Sequence, residues 1–149
     1  ERGQSEAIAR NLKEMSSLSV PIVSIVIGEG GSGGALAIGV ANKLYMLEYS
    51  IYSVISPEGC ASILFRDVKK SEEASKILKI TAVDVKKLGI CDGIISEPNG
   101  GAHHNWEEVA TNIKKILNKE INNLQKLSVE DLVNQRYEKF RSIGNFKES

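Results

Sequence analysis

The sequence predicts an α/β layered domain, and three observations support that prediction. Short apolar runs rich in β-branched residues alternate with stretches that have apolar residues at helical spacing. The first of these runs, residues 22–27, is apolar at nearly every position, which is typical of a strand buried on both faces. The length of 149 residues suits one compact domain, and 42% hydrophobic with 26% charged residues is an ordinary globular composition.

Charge balance and cysteine count exclude several classes of protein. Nineteen basic and nineteen acidic side chains give a formal net charge of zero, so no overall charge favours nucleic acid or an anionic membrane. The two cysteines, Cys60 and Cys91, are too few for a disulfide framework and lack metal-site spacing. The longest apolar stretch, residues 20–27, is too short to span a bilayer. We therefore expect a protein of a reducing compartment with neither a membrane segment nor a metal site in this chain.

In the first half of the chain, the predicted order is helix, strand, glycine-rich loop, helix and two strands. Apolar residues at helical spacing predict a helix over residues 4–17, and the run at 22–27 predicts a strand. Residues 28–34, five of them glycine, predict a loop, and the small apolar residues 35–41 predict a buried helix. Two more short apolar runs predict strands at residues 43–47 and 51–55.

The second half is rich in helices, and capping residues predict where they begin. Ser, Thr or Asn followed three residues later by an acidic residue is typical of a helix N-terminus. This spacing occurs at Thr81 with Asp84, at Asn105 with Glu108 and at Ser128 with Asp131. Ser56 before Pro57, and Ser71 before an apolar stripe, predict two more helices. Residues 90–95 predict one further strand.

The glycine-rich loop matches the dinucleotide-binding pattern G-x-G-x-x-G. Gly28, Gly30 and Gly33 occupy its glycine positions between a predicted strand and a predicted helix. Glu48, twenty residues after Gly28, stands where a ribose-binding acid belongs. A dinucleotide-binding module is therefore an alternative function for this chain.

The same loop also matches G-x-S-x-G, the pattern of a nucleophilic serine. Ser32 would be the nucleophile, and His103 and His104 are candidate bases, although neither has an evident acidic partner. Ser32 is more simply explained as a helix cap. Because five glycines in seven positions satisfy most glycine patterns, the two matches are not independent evidence.

A third interpretation of the loop uses backbone amides alone. Gly33 and Gly34, at the start of a buried helix, can direct unhindered N–H groups toward a developing oxyanion. Preorganised donors of this kind contribute roughly 2.7–4 kcal/mol each in acyl-transfer enzymes. No catalytic side chain is required, and a tight turn between packed elements is the purely structural alternative.

The wider sequence favours the amide interpretation because it resembles the crotonase superfamily, from Pro21 through the glycine loop to residues 55–59 and 80–95. Within that superfamily, several segments are similar to the carboxyltransferase α subunits of bacterial- and plastid-type acetyl-CoA carboxylase. They are ERGQSEAIARNL at 1–12, GEGGSGGALAIG at 28–39, VISPEGCASIL at 54–64, EPNGGAH at 97–103 and LSVEDL at 127–132.

The resemblance implies a crotonase-like fold, a layered superhelix of β-β-α units. It covers essentially the whole chain, while the upstream part of such a subunit is absent and residue 1 is Glu rather than Met. We therefore expect residues 1–149 to be the C-terminal part of one crotonase-like domain, incomplete at the N-terminus. Residues from about 105 to 149 would form a C-terminal helical extension.

The resemblance also implies an activity and a division of roles. In that family, the carboxyl group of carboxybiotin, held on a carrier protein, passes to acetyl-CoA and gives malonyl-CoA for fatty acid synthesis. The N–H groups of Gly33 and Gly34 would stabilise the biotin ureido oxyanion. Other expected substrate-binding residues are Gly30, Gly31, Ser32, Glu58 and Gly59.

The implied partners follow from the same resemblance. We expect a carboxyltransferase β subunit in an α2β2 heterotetramer, the biotin carboxyl carrier protein, and biotin carboxylase in a larger ATP-dependent complex. Carboxybiotin would be presented by the carrier rather than held permanently by this chain, and zinc is expected only on the β subunit. The expected location is the bacterial cytoplasm or the plastid stroma.

Overall fold

The computed structural model describes residues 3–144, which form seven α-helices and five short β-strands. In chain order these elements are α1 (Gln4–Ser17), β1 (Val23–Val26), β2 (Glu29–Gly31), α2 (Ser32–Gly39), β3 (Lys43–Leu47), β4 (Ile51–Ser53), α3 (Pro57–Phe65), α4 (Ser71–Leu78), α5 (Ala82–Lys87), β5 (Gly93–Ile95), α6 (Trp106–Leu124) and α7 (Val129–Arg141). Two short 3-10 turns lie at Val68–Lys70 and Ala102–His104.

The strands form two parallel sheets. One has the order β1-β3-β5, with Val23 opposite Lys43 and Tyr45 opposite Gly93. The other pairs β2 with β4, so that Gly30 lies opposite Tyr52. Parallel strands joined through helices confirm the predicted α/β class.

The hydrophobic core lies on both faces of the three-stranded sheet. Leu44 and Met46 of β3 face α5 and pack in a cluster with Ala82, Val85 and Cys91. The alternate residues of β3, Tyr45 and Leu47, pack with Ile95 and with Val109 of α6. The central strand β3 is therefore buried on both faces. The run at 22–27, for which such burial was predicted, forms the edge strand β1 and is only half-buried. Both cysteines are buried free thiols.

Most helix starts agree with the capping residues. The side chains of Ser56, Thr81, Asn105 and Ser128 accept hydrogen bonds from the amides of Gly59, Asp84, Glu108 and Asp131, at 3.1, 3.3, 3.2 and 3.1 Å. The helix predicted over residues 4–17 has the predicted bounds. These predictions are confirmed because each depends on contacts within about four residues.

The glycine-rich segment differs from its prediction as a seven-residue loop. Residues 29–31 form β2, and α2 begins at Ser32, three residues earlier than predicted. Pairing with β4 and the bond from the Ile51 amide to the Gly28 carbonyl, 2.9 Å, hold this segment extended. Three other predicted strands are shorter, since β1 spans only Val23–Val26, β4 ends at Ser53 and β5 begins at Gly93.

Candidate functional site

The junction between β2 and α2 is the candidate site, and its backbone makes an abrupt change of direction. Ser32, the first residue of α2, has a φ angle of 59°, in the left-handed region that few residues other than glycine adopt. The residue before it, Gly31, is still extended, with φ −133° and ψ 149°. One residue with left-handed geometry thus connects a strand directly to a helix.

The backbone N–H groups of the first turn of α2 are part of the candidate site. Gly31 is the N-cap, and no side chain caps the helix. Gly33 and Gly34 lie in the first turn of α2, where the N–H groups of a helix have no intrahelical acceptor. Because they lie at the positive end of the helix dipole, these two donors favour an approaching negative charge.

A Cβ atom could be accommodated at Gly33 and Gly34, as at Gly28 and Gly31 of the same segment, but not at Gly30. A Cβ atom on Gly34 would meet no atom within 4 Å, and one on Gly33 would meet Ile8 Cγ2 at 3.6 Å, an ordinary contact. Packing within residues 3–144 therefore does not require glycine at either position. The backbone at this junction is open to a flat group from outside.

Two cavities flank the junction. The larger, about 380 Å³, lies between β1, β2 and α2 and is lined by their residues and by Leu44 and Tyr52. The smaller, about 180 Å³, lies at the start of α2 and is lined by Ser32, Gly33, Leu36, Tyr52, Ser53 and Val54. Tyr52 lines both cavities, so its side chain lies between them.

Tyr52 is the site residue that sequence reasoning missed. Its hydroxyl donates a hydrogen bond to the Ala35 carbonyl oxygen at 3.1 Å, and its ring packs against Gly30. Burial raises the pKa of the Tyr52 hydroxyl, which therefore stays a protonated donor at neutral pH. The available sequence signal was an aromatic residue inside the predicted strand 51–55.

Gly30 and Gly59, which were predicted to bind substrate, have packing roles in this structure. A Cβ on Gly30 would lie 2.8 Å from Tyr52 Cδ2, and one on Gly59 would lie 2.9 Å from Ile55 Cγ1. Gly59 also donates its N–H to the Ser56 hydroxyl at 3.1 Å. Glu58 is exposed in the first turn of α3 and lines neither of the two cavities. The substrate-binding roles of these residues remain predictions.

The dinucleotide interpretation is not favoured. Its pattern requires a tight turn from strand to helix, whereas residues 29–31 form a second strand. The Glu48 carboxylate, the expected ribose acceptor, accepts a hydrogen bond from the Glu97 amide at 3.2 Å. The pattern match therefore reflects glycine density and not the geometry of a pyrophosphate site.

The serine interpretation is equally unsupported. Ser32 does stand at a strand-to-helix turn with positive φ, but no hydrogen bond joins it to a histidine within residues 3–144. His103 and His104 stack on each other, with ring centroids 4.2 Å apart. The prediction that Ser32 caps the helix is wrong, because α2 already includes Ser32 and its N-cap is Gly31.

The described residues also bear on metal binding and on membrane insertion. Among residues 3–144, no cluster of three or more His, Cys, Asp or Glu side chains is placed to hold a metal ion. No helix of the described chain is both long and apolar enough to cross a membrane.

A family model described as "Acetyl co-enzyme A carboxylase carboxyltransferase-like" matches residues 1–144. The chain belongs to this family. Among curated relatives, it is 58% identical over 144 residues to a Fusobacterium nucleatum protein and 60% identical over 146 residues to one from Geobacillus sp.. Both are named acetyl-coenzyme A carboxylase carboxyl transferase subunit alpha, and the matches cover 97% and 98% of this chain. The chain spans about half the length of these relatives, 46% and 45%.

Solved structures confirm the fold of this carboxyltransferase-like chain. A Pseudomonas malonate decarboxylase hetero-tetramer in complex with coenzyme A matches with a TM-score of 0.68 and 16% identity, over 90% of this chain and 53% of that one. Transcarboxylase 12S matches with a TM-score of 0.56 and 17% identity, over 100% of this chain and 26% of that one. At such low identity the likeness shows architecture alone, and it confirms a partial crotonase-like α/β fold.

Proposed function

We propose that the β2–α2 junction stabilises the negative charge that develops on the biotin ureido oxygen during carboxyl transfer. One observation supports this most strongly. Gly33 and Gly34 lie in the first turn of α2, which no side chain caps, and a Cβ on Gly34 would meet no atom within 4 Å. Family membership supplies the reaction class, and the relatives' names specify acetyl-coenzyme A carboxylase.

The proposed chemistry needs little more than these two donors. When bound, carboxybiotin would supply the carboxyl group as carbon dioxide, and the electron pair of the broken N–C bond would leave negative charge on the ureido oxygen. The ureido nitrogen would then take up the methyl proton of acetyl-CoA, whose enolate carbon would bond to the carbon dioxide. Gly33 and Gly34 donate to the ureido oxygen, and the dipole of α2 adds a favourable field. Because the donors are fixed before the reaction, little reorganisation is needed when the charge appears. Biotin fits this site in one respect. Gly34 has no side chain that would hold a flat ring away from the backbone, and the space beside it is open.

The other half of the reaction belongs to a partner. The relatives' names include "subunit alpha", which implies a multi-subunit enzyme. We propose that the partner β subunit binds acetyl-CoA and stabilises its enolate, while this chain faces the carboxybiotin delivered by the carrier protein. The α2β2 stoichiometry, zinc on the partner, the role in fatty acid synthesis and the compartment stay predictions.

Substitution of the two glycines in the full-length subunit, assembled with its partner, tests the proposal. Gly33→Val or Gly34→Val should abolish malonyl-CoA formation, since the added side chain blocks the approach of a flat ring to the amides. Assembly with the partner subunit, measured by size-exclusion chromatography, should be preserved because a Cβ at either position makes no close contact. An assembled variant with near-normal malonyl-CoA production would contradict the proposal.

Ser32→Ala is the matched control at the same turn. It removes the hydroxyl and leaves both glycine amides in place, so the rate should fall far less than in the glycine variants. A loss of several orders of magnitude would instead support a nucleophilic role for Ser32.

A further inference from the structure

We propose that Tyr52 is a positioning residue, which sets the direction of the Gly33 and Gly34 amides by joining β4 to α2; this rests on the function proposed above. Tyr52 is the central residue of the three-residue strand β4, and it lines the cavities on both sides of the β2–α2 junction. It does not reach the reacting atoms in this proposal but acts through the helix that presents the amides.

The aromatic ring fixes Tyr52 against the strand that precedes the site. Gly30 of β2 lies opposite Tyr52 in the ladder, and a Cβ there would lie 2.8 Å from Cδ2 of the ring. Contacts this short are essentially never observed for a real Cβ, so the ring occupies the space that a side chain at position 30 would need. The ring of Tyr52 thus explains why residue 30 is a glycine.

The hydroxyl of Tyr52 contacts the C-terminal half of the helix. It donates to the carbonyl of Ala35, directly after Gly34, at 3.1 Å. A Cβ on Gly39, whose amide faces the Ala35 carbonyl in helical geometry, would lie 2.6 Å from the same hydroxyl oxygen. A single phenol group therefore holds the eight-residue helix α2 at a fixed distance from β4.

The start of α2 needs such an external contact. The helix has no side-chain cap, and its first residue, Ser32, has an unfavourable left-handed backbone. The orientation of the first turn is consequently not fixed by local hydrogen bonds of the kind that begin α3, α5, α6 and α7. The bond from Tyr52 to Ala35 supplies this constraint from a neighbouring strand.

Tyr52→Phe, made in the full-length subunit assembled with its partner, removes only the hydroxyl. We expect kcat for malonyl-CoA formation to fall about fivefold, the loss of one neutral hydrogen bond, with KM for acetyl-CoA and for the carboxybiotin donor unchanged. Tyr137→Phe, an exposed tyrosine of α7, should change neither. An unchanged kcat in Tyr52→Phe would overturn the proposal.

A double-variant cycle separates positioning from a general loss of structure. Gly39→Ala should lower kcat because its methyl group displaces the Tyr52 hydroxyl oxygen at 2.6 Å. The next nearest ring atom, Cζ, is 3.7 Å away, an ordinary contact, so Tyr52→Phe should relieve the conflict. Tyr52→Phe/Gly39→Ala should therefore match Tyr52→Phe alone, whereas additive losses would contradict the proposal.

Amide hydrogen exchange tests the positioning role of Tyr52 independently of the proposed function. If the wild-type complex forms no malonyl-CoA, the proposed function fails, and the positioning proposal is decided by amide exchange in residues 32–39 of the full-length subunit. Faster amide exchange in residues 32–39 of Tyr52→Phe than of Tyr137→Phe would support the proposal that Tyr52 restrains α2. Equal exchange would overturn it.

Discussion

The guanidinium of Arg136 donates a hydrogen bond from Nη2 to Oδ1 of Asn42 at 3.0 Å, across 94 positions of sequence. Arg136 is only 1% exposed, and its other hydrogen bonds all end on backbone carbonyls, those of Met15, Ser16, Leu18 and Val20. These carbonyls belong to the end of α1 and the connection to β1. One buried cation thus joins α7 to the C-terminal, negative end of the α1 dipole.

Arg136→Met should lower the free energy of unfolding by about 3 kcal/mol or more, because four backbone carbonyls and the buried Asn42 amide oxygen lose a charged donor. Arg141→Met, in the exposed last turn of the same helix, should change it by less than about 0.5 kcal/mol. Urea denaturation of each variant measures the difference. Equal effects of the two substitutions would show that Arg136 contributes only aliphatic packing.

The surroundings of Asp92 predict how the free energy of unfolding depends on pH. Burial alone would raise the pKa of this carboxyl, but bonds from the Leu44 amide at 2.8 Å and Lys139 Nζ at 2.6 Å outweigh it, and the pKa is lowered from its ordinary value of 3.8. The folded state therefore binds fewer protons than the unfolded state in acid. Asp92 therefore contributes to the free energy of unfolding above about pH 4, and this contribution is lost as the pH falls below that value.

Asp92→Asn should accordingly lower the free energy of unfolding at pH 7 by about 1–3 kcal/mol and flatten its decline between pH 5 and pH 3. Glu130→Gln, at an exposed position in the first turn of α7, is the matched control. Urea titrations at a series of pH values give both quantities. A variant with the wild-type slope in acid would exclude Asp92 as a source of that dependence.

A second buried polar pair links β3 to α6. The Tyr45 hydroxyl donates to Glu120 Oε1 at 2.8 Å, and Glu120 is 5% exposed. Tyr45→Phe should cost about 1–3 kcal/mol, since the buried carboxylate loses a donor. The double variant Tyr45→Phe/Glu120→Met should cost less than Tyr45→Phe alone, because neither polar group then remains. A double variant less stable than the single one, by urea denaturation, would contradict this.

Gly93→Ala tests the packing of the same tyrosine. A Cβ at position 93 would lie 2.5 Å from Tyr45 Cε1, across the ladder between β3 and β5. The ring must move within a buried cluster, at a cost of about 1–3 kcal/mol. Gly34→Ala, where the space is open, should cost much less in stability while still lowering activity. Thermal unfolding of both variants makes the comparison.

Sequence reasoning succeeded where the determining contacts are local. Asn105 and Ser128 could be identified as caps because each bonds an amide three residues away. Strand β2 was missed because it exists only through pairing with β4, about twenty residues further along the chain. Short polar or glycine-rich strands have little periodicity of their own, so pairing partners decide them.

The candidate site shows the same limit. Glycine spacing alone does not distinguish Gly30, which packs against Tyr52, from Gly34, which faces open space. The resemblance to a carboxyltransferase family selected Gly33 and Gly34, but nothing in the local sequence indicated the bond from Tyr52 to Ala35, seventeen residues apart. Arg136 and Asn42 are connected over a still longer separation.

The most direct test of the central claim removes a single N–H group. Replacing Gly34 by glycolic acid in the full-length subunit converts its amide to an ester and leaves the shape of the junction unchanged. Because this N–H lies in the first turn of α2, it is not one of the donors of the i→i−4 helical hydrogen bonds. An ester at Leu36, inside the helix, is the control for loss of a helical hydrogen bond. Our account predicts a fall in kcat of about 10²–10³ for the Gly34 ester and a small change for the control. Wild-type kcat in the assembled Gly34 ester would contradict it.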